Sequence, residues 1–128
     1  MKIFLTAAAV ATVLLLAPTA RAQDTPPAKV AETSKGKAFV DTKGMTLYIF
    51  DKDTPGKSNC SGPCIQNWPA FEAPADAKAS GEWTVVNRDD GTKQWAYKSK
   101  ALYTWVKDTK PGDVTGDGVG GVWHIATP

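Results

Sequence analysis

A shift of 55 residues superimposes the second half of this chain on the first. Without a gap, the shift places Leu47 and Tyr48 on Leu102 and Tyr103. It also aligns residues on either side, namely Gly36 with Gly91, Lys43 with Lys98, Phe50 with Trp105, Lys52–Asp53–Thr54 with Lys107–Asp108–Thr109, and Trp68 with Trp123. Matches spread over this length indicate a duplicated supersecondary unit. The sequence therefore predicts two related halves within one small domain.

Short apolar runs separated by turn residues dominate both halves, which is typical of β-strands. A hairpin is predicted around the turn 41–44, and a second around a turn containing Asp90–Gly91, a strong tight-turn pair. The only helical turn is predicted near 63–68. The strands predicted in this way are 38–40, 46–50, 83–87, 93–97, 101–106 and 121–126. The expected fold is all-β, a small single domain of two pseudo-repeated β-hairpin units with one local disulfide.

The first 22 residues have the three parts of a secretory signal peptide. Lys2 is followed by the apolar run Ile3–Ala17, and Ala20–Ala22 supplies small residues for cleavage before Gln23. A retained membrane anchor is the rival interpretation, but the run is shorter than the roughly 20 residues that span a bilayer. No cysteine stands at the cleavage point for lipid attachment. The sequence thus predicts a periplasmic or secreted bacterial protein with no membrane anchor after cleavage.

The rest of the chain divides by composition. Residues 23–35 are rich in Pro, Ala, Thr and Lys and are predicted to be a flexible tether. The β domain is expected over 36–128, with repeat one at about 36–71, a connector at about 72–82, and repeat two at about 83–128.

Charge indicates which partners to expect. The chain has 15 basic and 13 acidic residues, and loss of Lys2 and Arg21 with the signal leaves these numbers equal. A near-neutral chain without a basic stripe is not typical of a nucleic-acid binder. The expected partner is therefore a small molecule or an envelope protein.

The aromatic residues of the repeated segment alternate along a predicted strand, so Tyr48 and Phe50 share one face. Asp53 lies just past the strand end, where it can accept backbone N–H groups or a tyrosine hydroxyl. The second half repeats the arrangement with Tyr103, Trp105 and Asp108. One interpretation is a structural lock of Tyr, Asp and Trp in each half, because a buried hydroxyl needs a partner. The other is that the paired aromatic faces form a ligand groove.

This motif also carries a family resemblance. The segment 47–69 reads LYIFDKDTPGKSNCSGPCIQNWP, and the second copy ends in DGVGGVWH at 117–124. Over 36–128 the chain resembles a bacterial secreted repeat of unknown function with a Tyr-x4-Asp motif, found in predicted lipoproteins. The resemblance implies an extracytoplasmic role and no established activity. The residues it marks as characteristic are Tyr48, Asp53, Cys60, Cys64, Trp68, Tyr103, Asp108 and Trp123. This chain departs from the family pattern in having no lipobox cysteine.

Two further motifs leave alternatives open. Cys60 and Cys64 are separated by three residues, whereas thiol oxidoreductases have two, so a structural disulfide is favoured over a redox site. The loop from Asp113 through Asp117 begins like a calcium loop, but its twelfth position is His124 instead of Glu. His124 is the only histidine and cannot alone form a typical zinc or copper site.

No nucleophile, phosphate or zinc-protease motif is present in the sequence. We therefore expect a non-catalytic binding or envelope-associated interaction module without a cofactor. The alternative is a redox- or metal-linked periplasmic accessory protein, acting through the cysteines, His124 or the loop at 113–117.

Overall fold

The computed structural model describes residues 25–128, so the predicted signal peptide and its cleavage site lie outside the described residues. Within this range the chain forms short strands, one α-helical turn and one 3-10 turn at Val119–Gly121. In chain order the strands and the α-helix are β1 (Lys29–Thr33), β2 (Gly36–Val40), β3 (Tyr48–Phe50), α1 (Pro63–Asn67), β4 (Glu72–Ala73), β5 (Trp83–Asn87), β6 (Lys93–Tyr97), β7 (Lys100–Ala101) and β8 (Trp123–Ile125). The prediction of a mostly β domain with two repeats is confirmed. None of the helices in 25–128 has the length and apolar character needed to cross a membrane.

Strand β1 corrects the predicted flexible tether. It pairs antiparallel with β2, from Lys29 opposite Val40 to Thr33 opposite Gly36. The prediction over 23–35 is therefore wrong for 29–33. Composition was misleading because β1 is an edge strand, whose backbone pairs on one side only. Such a strand needs little apolar content, and even Val30 is about half exposed.

The second hairpin forms as predicted. Strands β5 and β6 pair antiparallel from Trp83 opposite Tyr97 to Asn87 opposite Lys93. At the turn, the backbone N–H of Arg88 donates to the carbonyl of Thr92. Strand β6 is central in its sheet, because β4 pairs with its start and β7 with its end.

The first hairpin forms only near its turn. Val40 bridges Thr46, and the N–H of Leu47 donates to the carbonyl of Phe39. Strand β3 then leaves β2 and pairs antiparallel with β8, with Phe50 opposite Trp123. The predicted pairing of 38–40 with the whole of 46–50 is thus corrected.

The two halves exchange their closing segments. Strand β8, at the end of the second half, completes the sheet of β3, and β4, at the end of the first half, pairs with β6. The backbone bonds follow the same symmetry. Tyr48 N–H donates to the Tyr103 carbonyl at 2.8 Å, and Tyr103 N–H donates to the Tyr48 carbonyl at 3.0 Å. A pseudo-twofold axis therefore passes between these two tyrosines.

The disulfide links Cys60 to Cys64 beside α1, as predicted. The helix begins at Pro63, where a missing N–H costs nothing, and ends as the N–H of Trp68 donates to the Cys64 carbonyl. Cys60 is fully buried. The disulfide and the helical turn together fix the position at which Trp68 enters the core.

The core has two layers on opposite sides of the central strand segments. Tyr48 and Tyr103 face one layer, whereas Leu47 and Leu102 face the other, and all four are fully buried. The tyrosine layer also contains Cys60, Trp68, Val86, Ala96, Ala101 and Trp123. The leucine layer also contains Ala28, Phe39, Trp83 and Ala126. The predicted alternation of side chains along the repeated strand is observed in both halves.

Candidate functional site

The two motif tyrosines bond to aspartates of the opposite repeat. The Tyr48 hydroxyl donates to Asp108 Oδ2 at 2.6 Å. The Tyr103 hydroxyl donates to Asp53 Oδ2 at 2.7 Å. The interpretation of a lock within each half therefore named the right residue types but the wrong partners. We call these two reciprocal bonds the cross-repeat lock.

Each aspartate of the lock also holds the loop that follows it. Asp108 Oδ1 accepts the backbone N–H of Thr115 at 3.0 Å and its hydroxyl at 2.6 Å. Asp53 Oδ1 accepts the backbone N–H of Asn59 at 2.7 Å. Both carboxylates therefore use one oxygen between the halves and the other within their own half.

Burial shifts the pKa values of side chains in the cross-repeat lock. It raises the pKa of the Tyr48 hydroxyl far above its ordinary value, and the hydrogen bond to Asp108 raises it further. Burial likewise raises the pKa of Tyr103. Burial also raises the pKa of Asp53, although hydrogen bonds from Asn59 and Tyr103 oppose this. Both tyrosines consequently remain protonated at neutral pH and act as hydrogen-bond donors, not as bases or nucleophiles.

Four aromatic rings stack in a row between the halves. Trp123 and Trp68 form the centre, with ring centroids 3.8 Å apart and planes 3° from parallel. Phe50 stacks on Trp123 at 4.2 Å, and Trp105 stacks on Trp68 at 4.0 Å. The two central rings are buried and the two outer rings half-buried. These side chains thus form the interior between the repeats instead of the walls of an open groove.

The tyrosines meet this stack edge-on. Tyr48 lies against Trp68 with centroids 5.4 Å apart, and Tyr103 lies against Trp123 at 5.1 Å. Edge-to-face packing is a favourable arrangement for aromatic rings. Each tyrosine therefore packs on the motif tryptophan of its own repeat, while its hydroxyl bonds to an aspartate of the other repeat.

A polar network that sequence reasoning missed joins the two repeats. Arg88 Nη1 donates to Ser58 Oγ at 2.8 Å and to Gln94 Oε1 at 2.7 Å, and Nη2 donates to the Cys60 carbonyl at 2.7 Å. Ser58 also hydrogen-bonds with the Tyr103 hydroxyl. The available signal was Gln94, a polar residue at an inward position of β6, which is fully buried.

The residues considered for a metal are used in local structure. Asp113 Oδ2 accepts the backbone N–H groups of Thr109 and Lys110, and Asp117 Oδ1 accepts that of Ile125. His124 Nε2 lies 2.7 Å from Asp51 Oδ2 on the surface. Across residues 25–128, no three His, Cys, Asp or Glu side chains are grouped so as to hold a metal. The structure therefore does not bring Asp113, Asp117 and His124 together as ligands.

An aromatic groove lies beside the leucine layer, on the face of the second hairpin that packs against this layer. Its rings are Trp83, Trp95 and Tyr97, and it encloses a cavity of about 430 Å³. The rest of the lining comes from the chain's own Thr25–Pro27, from Lys78 and from Ser80–Glu82. Phe39 of the first half packs against two of these rings, with its ring centroid 5.1 Å from that of Trp83 and 4.6 Å from that of Tyr97. We call this feature the aromatic groove.

The aromatic groove breaks the pseudo-twofold symmetry. Val30 pairs with Phe39 in the first hairpin as Val85 pairs with Trp95 in the second, so the strand register makes Trp95 the counterpart of Phe39, one residue beyond the 55-residue shift. By the same register, Ala28 and Asp41 stand where the second half has Trp83 and Tyr97. Sequence reasoning did not single out the groove residues, because it concentrated on residues that the repeat preserves.

A family model described as a secreted repeat of unknown function matches the chain twice, over residues 29–72 and 84–127. The chain belongs to this family. The first match begins at the start of β1, so this strand is part of the repeat. No curated protein and no solved structure matches the chain.

Proposed function

We propose that this protein is a non-catalytic binding module that acts outside the cytoplasm, in the periplasm or after secretion, and that its contact surface is the aromatic groove. The ligand is a small molecule or part of an envelope protein. A concave surface lined by aromatic rings, with a few polar groups at the rim, is the usual form of such a site. The groove's asymmetry is the observation that carries the proposal.

Duplication accounts for some of the large aromatic residues of this chain but not for all of them. Both repeats carry the motif tyrosines, aspartates and tryptophans, and these side chains are used to hold the halves together. Trp83 and Tyr97 pack on Phe39 of the first half, but their counterparts are Ala28 and Asp41, so the duplicated contacts between the halves do not require aromatic rings at these two positions. Large aromatic side chains at a partly open cavity are characteristic of recognition surfaces.

Five tryptophans give this proposal an internal control. Trp83 and Trp95 line the groove, whereas the other three belong to the aromatic stack. Their indole N–H resonances can be followed by NMR during titration with a proline-rich peptide, an N-acetylglucosamine oligosaccharide and a small aromatic acid. We expect at least one class to shift the two groove resonances saturably while the three stack resonances stay in place.

If no class shifts the groove resonances, or if every ligand that binds shifts only the stack resonances, the proposal is wrong. Val106→Ala is a suitable control variant, because Val106 is an exposed apolar residue that is not part of the groove lining. Its titration should match that of the unmodified protein.

A further inference from the structure

The lining of the aromatic groove includes several hydrogen-bond donors. Among the described residues, no hydrogen bond uses the indole N–H of Trp83 or Trp95 or the hydroxyl of Tyr97, and no buried side-chain polar atom lacks a partner. These three groups must therefore reach solvent. Lys78 adds a further donor, Glu82 is an acceptor, and the hydroxyls of Thr25 and Ser80 can both donate and accept. A ligand that fits this groove presents apolar ring faces together with acceptors.

The groove already has proline in its lining. Pro26 and Pro27 line the cavity together with the aromatic rings. Ala28, which follows them, is buried in the same cluster as Trp83, which anchors this segment beside the groove. The cavity is thus lined by both pyrrolidine and aromatic rings.

We propose that the aromatic groove binds an extended, proline-rich peptide segment of a partner protein, lying in the cavity lined by Thr25–Pro27 and the aromatic rings. Proline has no backbone N–H, so a polyproline II segment offers carbonyl acceptors and few donors. This is the complement of a groove whose unpaired groups include indole and phenol donors. Aromatic-lined grooves recognise such segments because the peptide is already extended and loses little conformational entropy on binding.

This inference rests on the proposed function and specifies its ligand. An oligosaccharide would also stack on the rings, but it presents hydroxyl groups that both donate and accept. Glu82 is the one carboxylate among the residues that line the groove. The groove chemistry therefore favours the peptide.

The test uses a synthetic peptide with two Pro-Pro pairs and a control peptide in which every proline is replaced by alanine. We expect the proline peptide to shift the Trp83 and Trp95 indole resonances saturably and the control peptide to bind at least about tenfold more weakly. Tyr97→Phe should weaken binding by about 2- to 10-fold, since one hydrogen bond is lost while the ring remains. Trp95→Ala should abolish binding, and Val106→Ala should leave it unchanged.

Several results would overturn the inference, and they do so in different ways. If the oligosaccharide or the aromatic acid shifts the groove resonances and neither peptide does, the groove is a binding site but not for proline-rich segments. If no ligand shifts them, the proposed function falls as well. Equal affinity for the two peptides, or unchanged affinity in Tyr97→Phe and Trp95→Ala, also contradicts it. Because Tyr97→Phe keeps the ring, it remains informative if Trp95→Ala fails to fold.

Discussion

Neither half of this chain is expected to fold when it is produced alone. A fragment of residues 25–76 lacks β8, the pairing partner of β3, and a fragment of 77–128 lacks β4, which pairs with β6. Each fragment also loses half of the aromatic stack and the partner of its motif tyrosine. Chains of about 50 residues rarely bury enough apolar surface to compensate for such losses. Near-ultraviolet circular dichroism of each fragment should show no tertiary signal and no cooperative melting.

An equimolar mixture of the two fragments is expected to regain the folded signal, because the contacts between the halves are then restored. The matched control is the intact chain cleaved after folding between Asp76 and Ala77, in the exposed connector. The cleaved chain should stay folded, since strands of each half are held in the other. A fragment that melts cooperatively by itself would contradict the exchange of strands.

Gly116→Ala is expected to be strongly destabilising. An added Cβ would lie 2.8 Å from the Trp68 ring and 2.9 Å from two atoms of the Tyr48 ring, closer than real Cβ contacts allow. The Gly116 N–H also donates to the Tyr48 hydroxyl at 3.2 Å. Relief of the overlap must move the centre of the lock, which we expect to lower the free energy of unfolding by about 3 kcal/mol. Urea denaturation measures this change.

Gly118→Ala is the matched control for that variant. Gly118 lies in the same loop at a φ of +85°, and an added Cβ would meet no atom within 4 Å. Its replacement should cost only the backbone strain of a left-handed residue, about 1 kcal/mol. If Gly116→Ala is no more destabilising than Gly118→Ala, the close approach of this loop to Tyr48 and Trp68 is wrong.

Local signals in the sequence were sufficient for several elements. The β5–β6 hairpin was predicted from Asp90–Gly91 between two strand-like runs, and α1 from Pro63 after the first cysteine. The Cys60–Cys64 disulfide followed from the exported context. In each case the interacting residues are close along the chain, so composition and spacing contain the necessary information. Strand β1 was missed because it is an edge strand whose residues show almost no hydrophobic alternation. The buried residue beside it is Ala28, which precedes the strand.

The exchange between halves could not be predicted from the repeat. Because both copies contain the same Tyr-x4-Asp spacing, Tyr48 has two chemically equivalent candidate partners, Asp53 and Asp108. The repeat pattern of the sequence is the same whether each tyrosine bonds to the aspartate of its own half or to that of the other half. Only the path of the backbone therefore determines which aspartate each tyrosine reaches. In this structure the antiparallel bridge between Tyr48 and Tyr103 joins the two halves, and each tyrosine bonds to the aspartate of the other half.

The aromatic groove was missed for the opposite reason. Trp83, Trp95 and Tyr97 alternate along a hairpin that was predicted correctly, and their facing one side of it follows from strand geometry. What the sequence did not show is that Thr25–Pro27, almost 60 residues before Trp83, returns to the same place. Long-range packing of this kind leaves no signal in local periodicity.

The central claim, that each repeat supplies the acceptor for the other's tyrosine, is tested most directly by double-mutant cycles. The first cycle combines Tyr48→Phe with Asp108→Asn, and the second combines Tyr48→Phe with Asp53→Asn, with unfolding free energies from urea denaturation. We predict a coupling of about 1–2 kcal/mol for Tyr48 with Asp108 and additive effects, within about 0.5 kcal/mol, for Tyr48 with Asp53. Coupling of Tyr48 to Asp53 without coupling to Asp108 would contradict the cross-repeat lock.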